Sequence, residues 1–194
     1  KAYEIPESSR IAKGQSIVNF LQLATEESVT AIVASNKDDN FKYLLMTTEA
    51  GTVKKCSLNE FENVRRSGLL AIKLAKDDAL RWVEATTGSD EIVITTSRGQ
   101  AIHFKEKDIR PMGRTAAGVR GIKLKKDDKV VGMNAVFKNQ KGNQLLAISE
   151  NGFGKRTNLG LYKIQNRGGS GIKTANVTPK TGKLIGATII NVDE

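Results

Sequence analysis

His103 is the only imidazole in this chain and Cys56 the only thiol. A structural zinc site asks for four ligands, usually Cys or His, so these two cannot build one. A Ser-His-Asp or Cys-His pair would have to run through His103. Asp77-Asp78 and Asp127-Asp128 could serve as acid–base or metal pairs. They return at one polar turn in each of two repeats, which fits turn chemistry better. Gly152-Phe-Gly-Lys-Arg-Thr157 has the flavour of a phosphate loop but fails its pattern. Ser149 stands where a further glycine is needed, and Arg156 stands where Ser or Thr must follow the lysine.

The basic residues form the one set with a regular pattern. The first group sits in connections between repeats: Arg10 and Lys13, Arg65 and Arg66, Arg110, Arg114 and Arg120, then Arg167 and Lys173. The second lies on or near predicted hairpins: Lys54 and Lys55, Arg98 and Lys105, Lys155 and Arg156. Lysine and arginine spaced this way can neutralise a phosphate backbone with little sequence preference. His103 falls at the hairpin position of Lys55 and Arg156. It is expected to be a partly exposed strand residue or another contact to the same polyanion.

What spaces these charges is a repeat. The anchor glycines Gly14, Gly68, Gly118 and Gly171 are 54, 50 and 53 residues apart. A period near 50 marks a stacked supersecondary unit. After each anchor, apolar residues alternate with polar ones, as in Val18/Phe20, Ile72/Leu74, Ile122/Leu124 and Ala175/Val177. A polar turn and a second apolar run follow: Val29–Val33, Leu80–Val83, Val130–Met133 and Leu184–Ala187. Then comes a hairpin turning at Gly51, Gly99 or Gly152. Short helical turns are expected at Leu58–Asn63 and Glu106–Ile109. Trp82, in an apolar run, is expected in the core.

The unit is therefore about four short strands, the arithmetic of a propeller-like blade. The reading is all-β: a pinwheel or propeller-like array of four-stranded blades, cut inside a repeat at both ends. Residues 1–194 form one domain. They divide into 1–9 (the tail of a unit), 10–61, 62–109, 110–162 and the incomplete 163–194.

A formal charge of +10, with 39% hydrophobic and 27% charged residues, describes a globular chain suited to an anionic partner. No apolar run approaches the roughly 18 residues of a membrane span. Aromatic residues are only 5% and are not interleaved with the basic clusters. That argues against a reader of single strands, which stacks bases on rings.

These segments resemble the C-terminal domain of the DNA gyrase A subunit. The match is carried by Tyr3-Glu-Ile-Pro6, Lys13-Gly14, Ile17-Val-Asn19 and Gly51-Thr-Val-Lys-Lys55. It continues in Gly113-Arg-Thr-Ala-Ala-Gly-Val-Arg-Gly-Ile122, Glu150–Thr157 and Asn166-Arg-Gly-Gly169. The topoisomerase IV A subunit is a related but weaker match. The resemblance implies a β-pinwheel whose blades exchange strands and whose basic perimeter wraps double-stranded DNA. It implies that this region is non-catalytic and that ATP and Mg are used elsewhere in the holoenzyme. The expected partners are double-stranded DNA and the rest of the gyrase A and B subunits. Neither a membrane nor a small-molecule substrate is expected, and the location is the bacterial cytoplasm at the nucleoid. Gln165, Arg167, Gly168, Gly169 and Gly171 fit the frame of the family's wrapping box. Asn166 and Ser170 replace its basic residues, which makes this a degenerate copy. The competing reading is a propeller-like interaction module whose basic edge docks an acidic protein.

Overall fold

The computed structural model describes residues 9–16, 19, 27–34, 40–63, 68–137 and 143–191. Three hairpins organise it: β1 (Tyr43–Thr48) with β2 (Thr52–Ser57), β4 (Glu91–Thr96) with β5 (Gln100–Lys105), and β8 (Gln144–Ser149) with β9 (Gly154–Asn158). Each turns through a glycine at positive φ, namely Gly51 at 83°, Gly99 at 75° and Gly152 at 78°. A side chain at such a φ would be strained, which is why the turn falls there. Short 3-10 turns follow the hairpins at Leu58–Phe61, Glu106–Asp108 and Leu159–Leu161. The first two begin where the sequence predicts helical turns.

The remaining strands arrive from later in the chain. β3 (Leu80–Thr86) pairs antiparallel with β1, β7 (Val130–Val136) with β4, and β11 (Leu184–Ile190) with β8. These are the predicted second apolar runs. The outer strands are only two residues long: β6 (Val119–Arg120) on β2, and β10 (Ile172–Lys173) on β5. The sheet orders are therefore β3-β1-β2-β6, β10-β5-β4-β7 and β11-β8-β9. Each four-stranded sheet draws on three successive sequence units, so the blades do exchange strands.

The strands following the anchor glycines are shorter than the alternation suggests. Residues 68–75 and 27–34 carry no strand, and Ile32 is 79% exposed. Val18 and Phe20 lie outside the described residues.

Among the described residues, three clusters fill the interior. The largest joins Leu45 and Val53 of the first hairpin to Ile92, Ile94, Ile102 and Phe104 of the second, with Ile122 between them and Trp82 packed against it. A second gathers Val93, Leu145, Leu159 and Tyr162, and a third Met46, Cys56 and Ile72. Two of these cross blade boundaries, so apolar packing ties each blade to its neighbour. Among the described residues no helix is long and apolar enough to cross a membrane.

Candidate nucleic-acid interface

The structure corrects the reading of the first hairpin. Lys54 and Lys55 are buried, and neither ammonium can meet a phosphate outside. Lys54 Nζ donates to three carbonyls: Ala71 at 2.8 Å, Arg114 at 2.5 Å and Ala116 at 2.9 Å. An ammonium has three hydrogens to give, so the set is complete and burial is tolerated. Lys55 Nζ lies 3.3 Å from Glu106 Oε1, donates to Glu106 O at 3.2 Å, and stands over the Tyr43 ring. Adjacent strand residues face opposite sides of a sheet, and later segments of the chain cover both sides of β2.

His103 holds the Lys55 position one blade on. It too is buried, which corrects the expectation of an exposed contact. Its Nδ1 is 2.9 Å from Tyr162 O and its Nε2 is 2.9 Å from Glu91 Oε2. A carbonyl only accepts, so Nδ1 carries a hydrogen. Like Lys55, the ring ties its own hairpin to the turn that follows the next one.

In the third hairpin Lys155 and Arg156 are exposed. Lys155 Nζ donates to Thr174 O at 3.1 Å, the counterpart of the Lys54–Ala71 bond, and Arg156 Nε to Gln144 Oε1 at 2.8 Å.

The connection set behaves differently. Lys13, Arg110, Arg120 and Lys173 are exposed, as is Arg98 of the hairpin set at the turn between β4 and β5. Arg120 and Lys173 occupy one register on two outer strands, opposite Thr52 and Gln100. Arg114 is half-buried, its Nε 3.6 Å from Glu60 Oε2. Arg167 is also half-buried and braces neighbouring loops, donating from Nη1 to Arg120 O at 2.5 Å and from Nε to Asp108 O at 3.2 Å. Arg65 and Arg66 lie outside the described residues.

The degenerate box is a connector that joins β5 of the second blade to the segment following β6 of the first. Gln165 N donates to His103 O, Gly168 N to Gly121 O, and Gly169 O accepts from Lys123 N. The anchors need glycine for closeness as well as φ. A Cβ on Gly171 would lie 2.5 Å from Ala101 O, and one on Gly118 would lie 2.7 Å from Val53 O.

Two cations escape the sequence reading. Lys73 and Lys123 each stand five residues after an anchor glycine, and both are exposed. With Arg120 they line one groove of about 460 Å³. Lys155 and Lys173 line another of about 380 Å³. The shared offset from the anchor was the available signal.

The acids do structural work. Asp78 Oδ1 accepts from Ala50 N and Ala79 N, each at 2.9 Å. Asp128 accepts from Thr96, Ser97, Arg98 and Lys129. Asp77 and Asp127 before them take φ of 61° and 57°, as Asx turns allow. Glu106 is buried, and Glu49 takes Lys129 and Arg81 at 2.9 and 3.0 Å. Those hydrogen bonds, that of Lys129 first, hold the Glu49 carboxyl below its usual range. Many acids are thus engaged within the fold, while many cations face solvent. Burial pushes the Cys56 thiol up, which suits packing and not nucleophilic attack. Among the described residues no three of His, Cys, Asp and Glu are grouped to hold a metal.

The family model described as DNA gyrase C-terminal domain, beta-propeller, matches residues 1–36, 42–87, 90–136 and 143–191. The last three stretches each contain one hairpin and the inner strand that pairs with it. The DNA gyrase A subunit of Staphylococcus epidermidis (strain ATCC 12228 / FDA PCI 1200) is 40% identical over 195 residues, covering 100% of this chain. That of Staphylococcus aureus (strain MRSA252) is 40% identical over 197 residues, again covering 100% of this chain. The chain spans only 22% of the length of either relative. Among solved structures, the C-terminal domain of DNA topoisomerase IV superposes with a TM-score of 0.82 at 26% identity, over 92% of this chain and 55% of that one. The DNA gyrase A C-terminal domain gives 0.78 at 28% identity, over 93% and 59%. Sheet order, exchanged strands and full-length similarity agree: this chain belongs to the DNA gyrase C-terminal domain, beta-propeller, family.

Proposed function

We propose that the chain binds double-stranded DNA without catalysing a reaction, and that it wraps DNA within the gyrase holoenzyme. In that role it presents a DNA segment for strand passage and gives negative supercoiling its direction. It works with the remainder of the gyrase A and B subunits at the bacterial nucleoid. It needs no cofactor of its own, ATP and Mg being used elsewhere in the holoenzyme. The observation that carries this reading is the shared register of Arg120 and Lys173, exposed on the outer strands of two successive blades. Lys73 and Lys123 reinforce the track. Arg98, Arg110, Lys155 and Arg156 are its further exposed members, and Lys13 and Arg10 extend it toward the first repeat. Arg114 and Arg167 position the loops that carry it.

Such a track reads charge spacing and not base edges. If about 6–10 phosphates are neutralised, affinity falls about 10³–10⁵-fold between 50 and 200 mM salt. The test is anisotropy titration of unrelated duplexes over that salt range, followed by ligation of nicked circles with the protein present. Uniform, salt-steep binding with a one-sided linking-number change supports wrapping. Retarded duplex without that change leaves binding alone. Salt-independent or absent binding overturns the proposal and favours an acidic protein partner.

A further inference from the structure

The inner strands β3, β7 and β11 stand side by side but belong to three different sheets. Side chains cross the gaps between them. From β7 to β11 the bridge is Asn134. Its Oδ1 accepts from Ile189 N at 3.1 Å and its Nδ2 donates to Ala187 O at 3.3 Å. An amide can accept and donate at once, so one side chain serves two backbone groups of the facing strand.

From β3 to β7 the residue in the same register is Glu84, with Leu80, Val130 and Leu184 aligned as strand starts. Its Oε2 accepts from Ala135 N at 2.8 Å. Ala135 is the counterpart of Ile189, so Met133 is the counterpart of Ala187. In an antiparallel ladder, residues two apart turn their N–H and C=O to the same side. The Met133 carbonyl therefore faces the β3 side, as the Ala135 N–H does. A carboxylate has no hydrogen for that carbonyl, but a carboxylic acid has one.

The choice of Glu here and Asn there follows from strand separation. A Cβ on Gly132 would sit 2.5 Å from Ala187 O, so β7 and β11 approach closely. On β3 the Gly132 position is Trp82, and β3 and β7 touch along less of their length. The longer side chain spans the wider gap.

We propose that Glu84 is held as the neutral acid in the folded array, its O–H given to the Met133 carbonyl. The tie between the first and second blades is then a protonation-dependent copy of the amide tie between the second and third. Burial supports this by pushing the Glu84 carboxyl up, with only the Ala135 N–H opposing. No ion-pair partner faces Glu84 among the described residues. Opposite it, β1 presents Leu45. The one ionisable side chain of β1 is Tyr43, whose ring lies against Lys55 and beside Gly88. β7 has no acid or base.

A raised carboxyl stabilises the fold fully below the ordinary glutamate range. That contribution is lost as pH rises through the folded-state value. The first blade joint should therefore loosen with rising pH by a route closed to the second. This goes beyond DNA binding and does not depend on it.

The test follows the glutamate Cδ resonances and the Ala135 amide of the full chain from pH 4 to 8. Unfolding midpoints of the parent, Glu84→Gln and Asn134→Asp are measured over the same range. One Cδ resonance should titrate well above the others, and the Ala135 amide should move with it. Glu84→Gln, which keeps a donor, should exceed the parent by about 2–4 °C at pH 8, roughly one hydrogen bond's worth for this size. The gap should shrink as pH falls. Asn134→Asp should bring pH dependence to the second joint. The proposal is overturned if the Cδ that moves with Ala135 titrates near about 4.3, like an exposed glutamate. Parallel midpoint–pH curves for parent and Glu84→Gln overturn it equally. Should Glu84→Gln not fold, the titration of the parent decides alone.

Discussion

Lys55 on β2 and Glu106 after β5 form an ion pair of 3.3 Å that joins the first hairpin to the second, with both side chains buried. Thr86 Oγ1 and the amides of Gly88 and Asp90 donate to the same carboxylate. The pair is thus embedded in a hydrogen-bond set that fixes the turn leading into β4. Breaking one partner of a buried pair typically costs about 3–5 kcal/mol, because the other charge is stranded. Lys55→Met should lower stability by that order in urea unfolding. It should leave the salt slope of DNA binding unchanged among molecules still folded. A reduced slope would return Lys55 to the DNA track.

The opposite pattern is expected on the outer strands. Arg120→Ala with Lys173→Ala removes two exposed charges and should lower DNA affinity across all sequences. The salt slope should drop by about 0.9 for each phosphate no longer neutralised. The unfolding midpoint should hardly move, since neither side chain is buried. Lys73→Ala with Lys123→Ala should behave alike. Unchanged slopes would remove these residues from the interface.

Gly118 combines a φ of 97° with the close approach to Val53 O. Gly118→Ala should strain the backbone by about 1–3 kcal/mol and push β6 off β2. Amide exchange at Val53 and Val119 would report it. Protection equal to that of the parent would show that the loop relaxes at little cost.

Glu49 gives the acid limb of the stability curve. Its carboxyl is held low by Lys129, then Arg81. The stabilisation is present above the unfolded carboxyl value and is lost as pH falls through the lower folded one. The midpoint difference between parent and Glu49→Gln should be constant above about pH 5 and fade toward pH 3. A difference that persists at pH 3 would mean the pair does not act through charge. Because Glu49 is partly exposed, 0.5 M salt should shrink the gap.

The hairpins were legible because their signal is local: a glycine that must adopt positive φ between two β-rich runs. The acidic turns were legible because each aspartate pair recurs at one polar turn and Asp78 and Asp128 cap the next residue's amide, whereas their bonds to Ala50 and to Thr96, Ser97 and Arg98 of the preceding hairpin carry no local signal. Lys54, Lys55 and His103 were misread because what covers them lies 50 to 60 residues downstream. Nothing near Lys54 announces that Arg114 and Ala116 will offer it carbonyls. The outer strands were overestimated because alternation after an anchor glycine does not report ladder pairing: Ile72 and Ile122 are buried from loops, while Leu74 and Val177 are exposed. Glu84 drew no notice because a single acid in an apolar run carries no motif. Its meaning appears only beside Asn134 in the folded array.

The strand exchange also has a consequence in time. Val53 pairs with Val119, and Ala101 with Ile172. A ribosome adding roughly 5–20 residues per second would therefore finish the first hairpin several seconds before its outer strand exists. Until then β2 is an open edge with the Lys54 ammonium lacking two of its three carbonyls. We predict that nascent chains stalled just before Arg114 expose β2 to protease, and that chains stalled with Lys123 clear of the exit tunnel protect it. Equal cleavage of both would contradict this. Each of the two four-stranded blades is thus sealed by a segment made after its hairpin, and during that interval an unfinished blade trails the ribosome.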